Sequence, residues 1–230
     1  MQNQKILVTG GAGFIGSNTV RLLCDMGYDV TVYDNLSFGY KKFVDKRAKF
    51  IEGDLLDKKA ITKALNGTDK VFHFAAISII KQSIDDPEKC FNTNISGIIN
   101  LLEAMRSNEV KYIVNSSSAS VYGSPKVIPV AEDSIKEPLQ PYGASKLAVE
   151  SILSSYFHTY GINSASLRYF NAYGPYDEQS PVTRAVPTWI KAVIAKKPIP
   201  LYWKGGTIKG LHFCRRHCQG TFCSHEFGRV

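Results

Sequence analysis

KILVTGGAGFIGS, residues 5–17, decides the fold. Lys5 to Gly10 is a short apolar run that ends in glycines, the pattern of a buried parallel strand. Gly10-Gly11-Ala12-Gly13-Phe14-Ile15-Gly16 fits Gly-x-x-Gly-x-x-Gly, and Gly11, Gly13 and Gly16 also fit Gly-x-Gly-x-x-Gly. Glycines are needed where a tight turn joins strand to helix and the backbone must approach a pyrophosphate closely. The helix that follows points its N-terminal N–H groups at the phosphates. Apolar positions at Phe14, Ile15, Val20, Leu22, Leu23 and Met26, with Gly27 as a stop, predict that helix over 14–26.

Further along, the same alternation repeats. DVTVYD (29–34), the KFIE start of 49–57, DKVFHFAA (69–76), KYIVNSSS (111–118) and the start of NSASLRYFNAYGP (163–175) read as strands. Between them, 58–67, a long pattern from Pro87 through Asn94, Leu101, Leu102 and Met105, and 142–160 read as helices. Strands alternating with helices at this spacing imply right-handed crossovers. The expected fold is α/β, a doubly wound (Rossmann) parallel sheet over residues 1–175, followed by the start of a substrate lobe at 176–209. Asp34 ends the second strand 18 residues after Gly16. A carboxylate there can accept from both adenosine ribose hydroxyls and would repel a 2′-phosphate, which favours NAD over NADP.

Composition narrows the function classes. The net charge is +8, but residues 191–230 hold eight Lys or Arg against one Glu, while 1–190 are near neutral at twenty against nineteen. With no basic face on the main body, nucleic acid is not an expected partner. No apolar run is long enough to span a bilayer and no signal peptide opens the chain, so neither membrane association nor export is expected and a cytoplasmic location is. Cys24 and Cys90 read as reduced core residues.

Tyr142-Gly-Ala-Ser-Lys146 places a phenol and an ammonium at i and i+4, on one helix face. An ammonium near a phenol favours the phenolate, a base able to take a hydroxyl proton during hydride transfer. Alone, such a pair is commonplace on solvated helices. Here SSSASVYG (116–123) precedes it, ending a strand whose last serine would point into a cofactor crevice, in a chain that carries the dinucleotide loop. His73 reads as a packed strand-end residue rather than a catalytic one.

Together TGGAGFIGS (9–17), DNLS (34–37), GDLLD (53–57), HFAA (73–76), Asn94-x-x-Gly97 with NLLEA (100–104), SSSASVYG, PYGASK (141–146) and RYFNAYGP (168–175) resemble the nucleotide-sugar epimerase/dehydratase family of extended short-chain dehydrogenases, most of all its UDP-glucose 4-epimerases. The resemblance covers about residues 1–209. It implies NAD as cofactor and a UDP-sugar as substrate. It also implies cofactor contacts at Gly10, Gly13, Phe14, Ile15, Gly16, Asp34, Asn35, Asp54, Leu55, Ala75, Ala76, Asn94 and Phe170, with Tyr142 and Lys146 touching the cofactor as well. Catalytic roles fall to Ser118, which would hold the substrate hydroxyl, to Tyr142 as base and to Lys146 as its tuner; Asn171 would touch the sugar nucleotide. Ser116 and Ser117 are expected to be structural or cofactor-side. The implied reaction is transient oxidation at C4 and reduction from the other face. Dehydratases usually add acidic residues after the strand-end serine; Ala119 and Ser120 stand there, which favours an epimerase. Another nucleotide-sugar epimerase or dehydratase, acting on UDP-N-acetylhexosamines or UDP-glucuronate, and a non-catalytic NAD-binding module are the alternatives. Family members usually dimerise through two cofactor-domain helices, here 87–107 and 142–160, so a homodimer is expected.

Residues 210–230 depart from the family. GLHFCRRHCQGTFCSHEFGRV stands where an Asp-Asp-containing stretch is usual. Its Cys214, Cys218 and Cys223, with His212, His217 and His225, lack a paired Cys-x-x-Cys knuckle, so no metal site is expected. Back-translated with permitted codons and read one base later, the stretch beginning at Gly210 encodes DCIFVDDIAKALFAVTNL, close to the family continuation. A single-base frameshift near codon 209 or 210 is the expected cause, a natural unstructured tail the alternative. The expected result is a truncated chain that binds NAD and does not turn over.

Overall fold

The computed structural model of the chain describes residues 4–177, 185–200 and 211–214. Six strands form one parallel sheet: β1 (Lys5–Thr9), β2 (Asp29–Asp34), β3 (Lys49–Glu52), β4 (Lys70–His73), β5 (Tyr112–Ser118) and β6 (Asn163–Tyr169). Their order is β3-β2-β1-β4-β5-β6. The order reverses between β1 and β4, and the C-terminal strand ends at that switch open a crevice, the place where doubly wound sheets bind ligands. The fold is the expected Rossmann sheet.

Each face has its own core. Leu7, Val71 and Ile113 point to one side. There α2 (Lys58–Ala64), α5 (Gly97–Ser107) and α6 (Pro141–Tyr160) bury Ile61, Leu101, Leu102, Met105 and Leu153 against them. Ile6, Val8, Val30, Val32 and Phe72 point to the other, where α1 (Phe14–Asp25) contributes Val20 and Leu23. Period-2 alternation within strands apolar on both faces is what a parallel sheet between helices demands.

Three features depart from the sequence-based expectation. The pattern read as one long helix from Pro87 is broken into α4 (Pro87–Phe91), a π turn over Asn92–Ser96, and α5. A short helix, α3 (Ile80–Asp85), precedes it where no helix was expected. The stretch 163–175 changes sheets: β6 ends at Tyr169, and β7 (Asn171–Tyr173) pairs in parallel with β8 (Leu211–Phe213) in a separate two-stranded sheet. The break lies at Phe170, so residues after it leave the cofactor sheet and face the crevice from its far side. One further helix, α7 (Ala185–Ile194), follows. The expectations for residues 178–184, 201–210 and 215–230 lie outside the described residues.

Candidate functional site

A cavity of about 490 Å³ opens at the switch point, within the usual range for cofactor sites. Its floor is the glycine loop. A side chain at Gly16 would stand 2.2 Å from the Gly10 carbonyl oxygen, and one at Gly10, whose φ is +69°, would stand 2.5 Å from the Ala75 nitrogen. The loop can nest on β4 only without side chains. Gly13, the residue before α1, is different: a Cβ there would come within 4 Å of a single atom, the Gly10 carbonyl oxygen at 3.2 Å. No side chain among the described residues caps the start of α1, and its first turn holds no carboxylate. An anion at that helix N-terminus would meet backbone N–H groups that no side chain of the helix's own first turn occupies.

One end of the cavity is formed by the strand ends of β2 and β3. Asp34 is buried, accepting from the Ala12 N–H at 3.0 Å and the Leu36 N–H at 2.8 Å. Burial pushes its pKa up, opposed by these two bonds. Two oxygens offer about four acceptor positions, so the carboxylate keeps capacity for ribose hydroxyls. The Asn35 amide donates to Asp54 at 2.8 Å, and Tyr33 donates to the Asp54 carbonyl at 2.9 Å, which fixes the segment that carries Leu55.

At the other end, α6 crosses the end of β5. Lys146 is buried and donates from Nζ to the Ser116 carbonyl at 2.6 Å, with Nζ 5.9 Å from the centre of the Tyr142 ring. Burial lowers its pKa to about 8, with the Cys90 thiol opposing weakly. One turn further on, Glu150 accepts from the Ser117 hydroxyl at 2.5 Å and pairs with Arg168 of β6 at 2.8 Å. Burial raises the Glu150 pKa, but bonds from Arg168 and Ser117 outweigh it and the net shift is downward. Lys146 and Glu150 thus pin the helix to the two residues of β5 that precede Ser118. The Ser118 hydroxyl accepts the Ser120 N–H at 3.1 Å and lies 3.1 Å from the Ser120 hydroxyl.

Of the residues expected at the site, Gly10, Gly13, Phe14, Ile15, Gly16, Asp34, Asn35, Asp54, Leu55, Ala75, Ala76, Ser118, Tyr142, Lys146, Phe170 and Asn171 all line this one cavity. Asn94 does not line it. Its amide is 2% exposed and spent inside the wall: it accepts the Ile77 N–H at 2.8 Å and donates to the Ile77 carbonyl at 3.1 Å and Ser145 Oγ at 2.9 Å. It ties the loop after β4 to α6 and acts on the site through them. Ser116 and Ser117 line the cavity as well, Ser117 with its hydroxyl turned to Glu150. His73 is a packed residue, bonded through Nδ1 to Thr9 Oγ1 at 2.8 Å, and burial and the charge of Lys146 lower its pKa to about 3.

Sequence reasoning missed Phe38, Thr93, Tyr173 and Asp177, which also line the cavity. Phe38 lay one residue beyond the quoted DNLS motif, but nothing in the sequence signalled its direction. Ser120 was read only as the absence of an acid, although it engages Ser118 directly.

A sequence profile described as the NAD dependent epimerase/dehydratase family matches residues 6–211. The UDP-glucose 4-epimerase of Lactobacillus helveticus is 42% identical over 199 residues, 83% of this chain and 60% of that enzyme. A solved UDP-glucose 4-epimerase from Thermotoga maritima with UDP-glucose superposes with a TM-score of 0.93 at 32% identity, over 96% of this chain and 73% of its own. One from Brucella ovis in complex with NAD gives 0.89 at 33% identity, over 95% and 72%. The chain spans between 52% and 60% of the length of the first three curated relatives it matches. Among the described residues no helix is long and apolar enough to cross a membrane. With its profile match, its relatives and its switch-point cavity in agreement, the chain belongs to the NAD dependent epimerase/dehydratase family.

Proposed function

We propose that this chain is the cofactor-binding part of an NAD-dependent UDP-sugar 4-epimerase of the UDP-glucose/UDP-galactose type, acting in the cytoplasm. One observation carries the reading: Ser118, Tyr142 and Lys146 meet in the same cavity as the glycine loop and Asp34. A module that only bound dinucleotide would need no phenol and buried ammonium beside its strand-end serine. The uncapped α1 and the partly used acceptors of Asp34 suit a pyrophosphate and a ribose, so the residues fit NAD.

When bound, NAD supplies an acceptor, and later a donor, of hydride at the sugar carbon. The residues of the chain manage the proton. Tyr142 takes it from the C4 hydroxyl as a phenolate, the form that the Lys146 ammonium favours before the transfer, and becomes a phenol. Ser118 accepts from the Ser120 N–H and donates to the Ser120 hydroxyl; its proton would turn from Ser120 to the sugar oxygen when substrate binds. After the 4-keto sugar turns over, Tyr142 returns the proton. Asn171 and Phe170, past the sheet switch, would contact the sugar nucleotide and the cofactor.

The division into a cofactor domain at 1–175, a lobe beginning at 176 and an out-of-frame tail from about 210 is part of the proposal. It draws support from the match that stops at residue 211. Dimerisation through the helical faces of 87–107 and 142–160 is supported by the exposure of Phe91, Ile99 and Phe157 there. The test has two arms. Isothermal titration of the 230-residue chain is expected to show NAD binding, and a coupled UDP-glucose/UDP-galactose assay of the same chain no turnover. Restoring the reading frame is expected to restore activity, and Tyr142→Phe in that protein to lower turnover by about a thousandfold while NAD still binds. Undiminished turnover in Tyr142→Phe would remove Tyr142 as the base.

A further inference from the structure

The segment after β7 is fastened to the glycine-loop helix by side chains that none of the motifs include. Asn18, on the second turn of α1, uses one amide nitrogen twice. It donates to the Phe14 carbonyl in the first turn at 2.9 Å and to the Pro175 carbonyl at 3.0 Å. Arg21, one turn on, donates to the Tyr176 hydroxyl, lies 4.6 Å from the centre of the Tyr176 ring, and reaches Asp45 at 3.6 Å. The same ring lies 5.0 Å, centre to centre, from that of Phe43, tilted by 50°. Tyr176 is held in the left-handed region at φ +67°, where a side chain other than glycine persists only if its surroundings fix it.

Both anchors sit on α1, the helix whose N-terminus lines the cavity, Asn18 in its first half and Arg21 one turn further on. Tyr173, two residues before the anchored pair, and Asp177, directly after it, line the cavity, and so do Phe14 and Ile15 at the start of α1. The loop that bears Phe43 and Asp45 is itself tied to the glycine loop by the Tyr40 N–H, which donates to the Ala12 carbonyl at 3.1 Å. Three segments that surround the phosphate end of the cavity thus close on one point, and they do so with side chains on the outer side of α1, away from any proposed ligand contact.

We infer that Asn18 and Arg21 are positioning residues that retard release of the dinucleotide, by holding residues 175–177 against α1. The inference rests on the reading of the cavity as the NAD site. It suits a reaction that regenerates its cofactor in every cycle, where slow release costs nothing in turnover. Since both residues act through the segment they hold, their loss should be read in the dissociation rate, and association should change little.

NAD release from the 230-residue chain would be followed by stopped-flow displacement with excess competing dinucleotide. Asn18→Ala and Arg21→Ala are each expected to speed dissociation about fivefold or more, as for a lost hydrogen bond that a bound state needs. Tyr176→Phe keeps the ring stack and loses only the hydroxyl, so it should fold as the parent does and give a smaller increase; it carries the test if Arg21→Ala does not fold. Arg106→Ala removes a distant surface pair with Glu103 and should leave release unchanged. Dissociation rates for Asn18→Ala and Tyr176→Phe within a factor of two of the parent would overturn the inference while leaving the NAD site intact. A parent chain that binds no NAD would remove the reading of the cavity and this inference together.

Discussion

The two walls of the cavity are made of different material. The glycine-loop wall is backbone packed on backbone: Gly10 against Ala75, Gly16 against the Gly10 carbonyl, Gly39 against Ala12. The far wall is β7, three residues long, and α7, which among the described residues buries none of its side chains. The segment that follows β7 is held to α1 by the side-chain bonds of Asn18 and Arg21. A backbone wall has no adjustable part, so a single methyl group breaks it; a side-chain wall gives way in steps.

The sharpest way to break this contrast is Gly16→Ala. With no room for the Cβ, the α1 start must move, and NAD binding measured by titration should be lost along with about 3 kcal/mol or more of stability. Measurable NAD affinity in a well-folded Gly16→Ala chain would show the wall to be softer than its geometry. Next in size is Glu150→Ala, which leaves the half-covered Arg168 guanidinium among buried groups without its carboxylate. A loss of about 2–3 kcal/mol is expected in urea unfolding. A loss below about 1 kcal/mol would mean that the Tyr122 and Glu132 oxygens, which also accept from Arg168, satisfy it by themselves.

The third test uses pH. Burial holds Lys146 at about 8, against roughly 10.4 for an unfolded lysine. Between these values the unfolded chain binds more protons than the folded one, so Lys146 makes stability rise with pH across that window. Below about pH 8 its burial carries the full penalty of a desolvated ammonium. Lys146→Met lacks this dependence. The stability gap between variant and parent should therefore narrow by roughly 2 kcal/mol from pH 8 to 10. A gap constant with pH would mean that Lys146 keeps an ordinary pKa. The smallest effect belongs to the far wall: Ile194→Ser, at a position 77% exposed, should shift stability by no more than about 0.5 kcal/mol.

The same contrast explains what could be read from the sequence. The glycine loop, Asp34, Ser118, Tyr142 and Lys146 are legible because backbone approach, a strand end and a four-residue helical step each constrain residue type at fixed spacing. Asn18 and Arg21 are not. Their partners lie 157 and 155 residues away, and a polar residue on the outer side of a helix looks like any solvated one. The change of sheets at Phe170 was equally hidden. Its continuous pattern of aromatic and polar residues suits a strand throughout, and only tertiary pairing with residues 211–213 separates β7 from β6. Asn94 was visible, but its direction was not, since the π turn shifts which residues of 92–96 look inward.

That π turn makes the helical arm sensitive to length as well as to sequence. A π turn accommodates one residue more than an α turn, so α4 and α5 are phased with respect to each other by an insertion. Removing a single residue between Asn92 and Ser96 would let the arm relax into an unbroken α-helix in which α4 and α5 each keep their face. Removing one from within α5, with the π turn kept, would instead rotate everything before it by about 100° about the axis; Cys90, now packed with Ile77 and Tyr142, would swing away, and the Tyr142 side of the cavity would lose a neighbour. For this helix, tolerance to substitution and tolerance to deletion are separate properties, and a library of single-residue deletions across 87–107 would map the second.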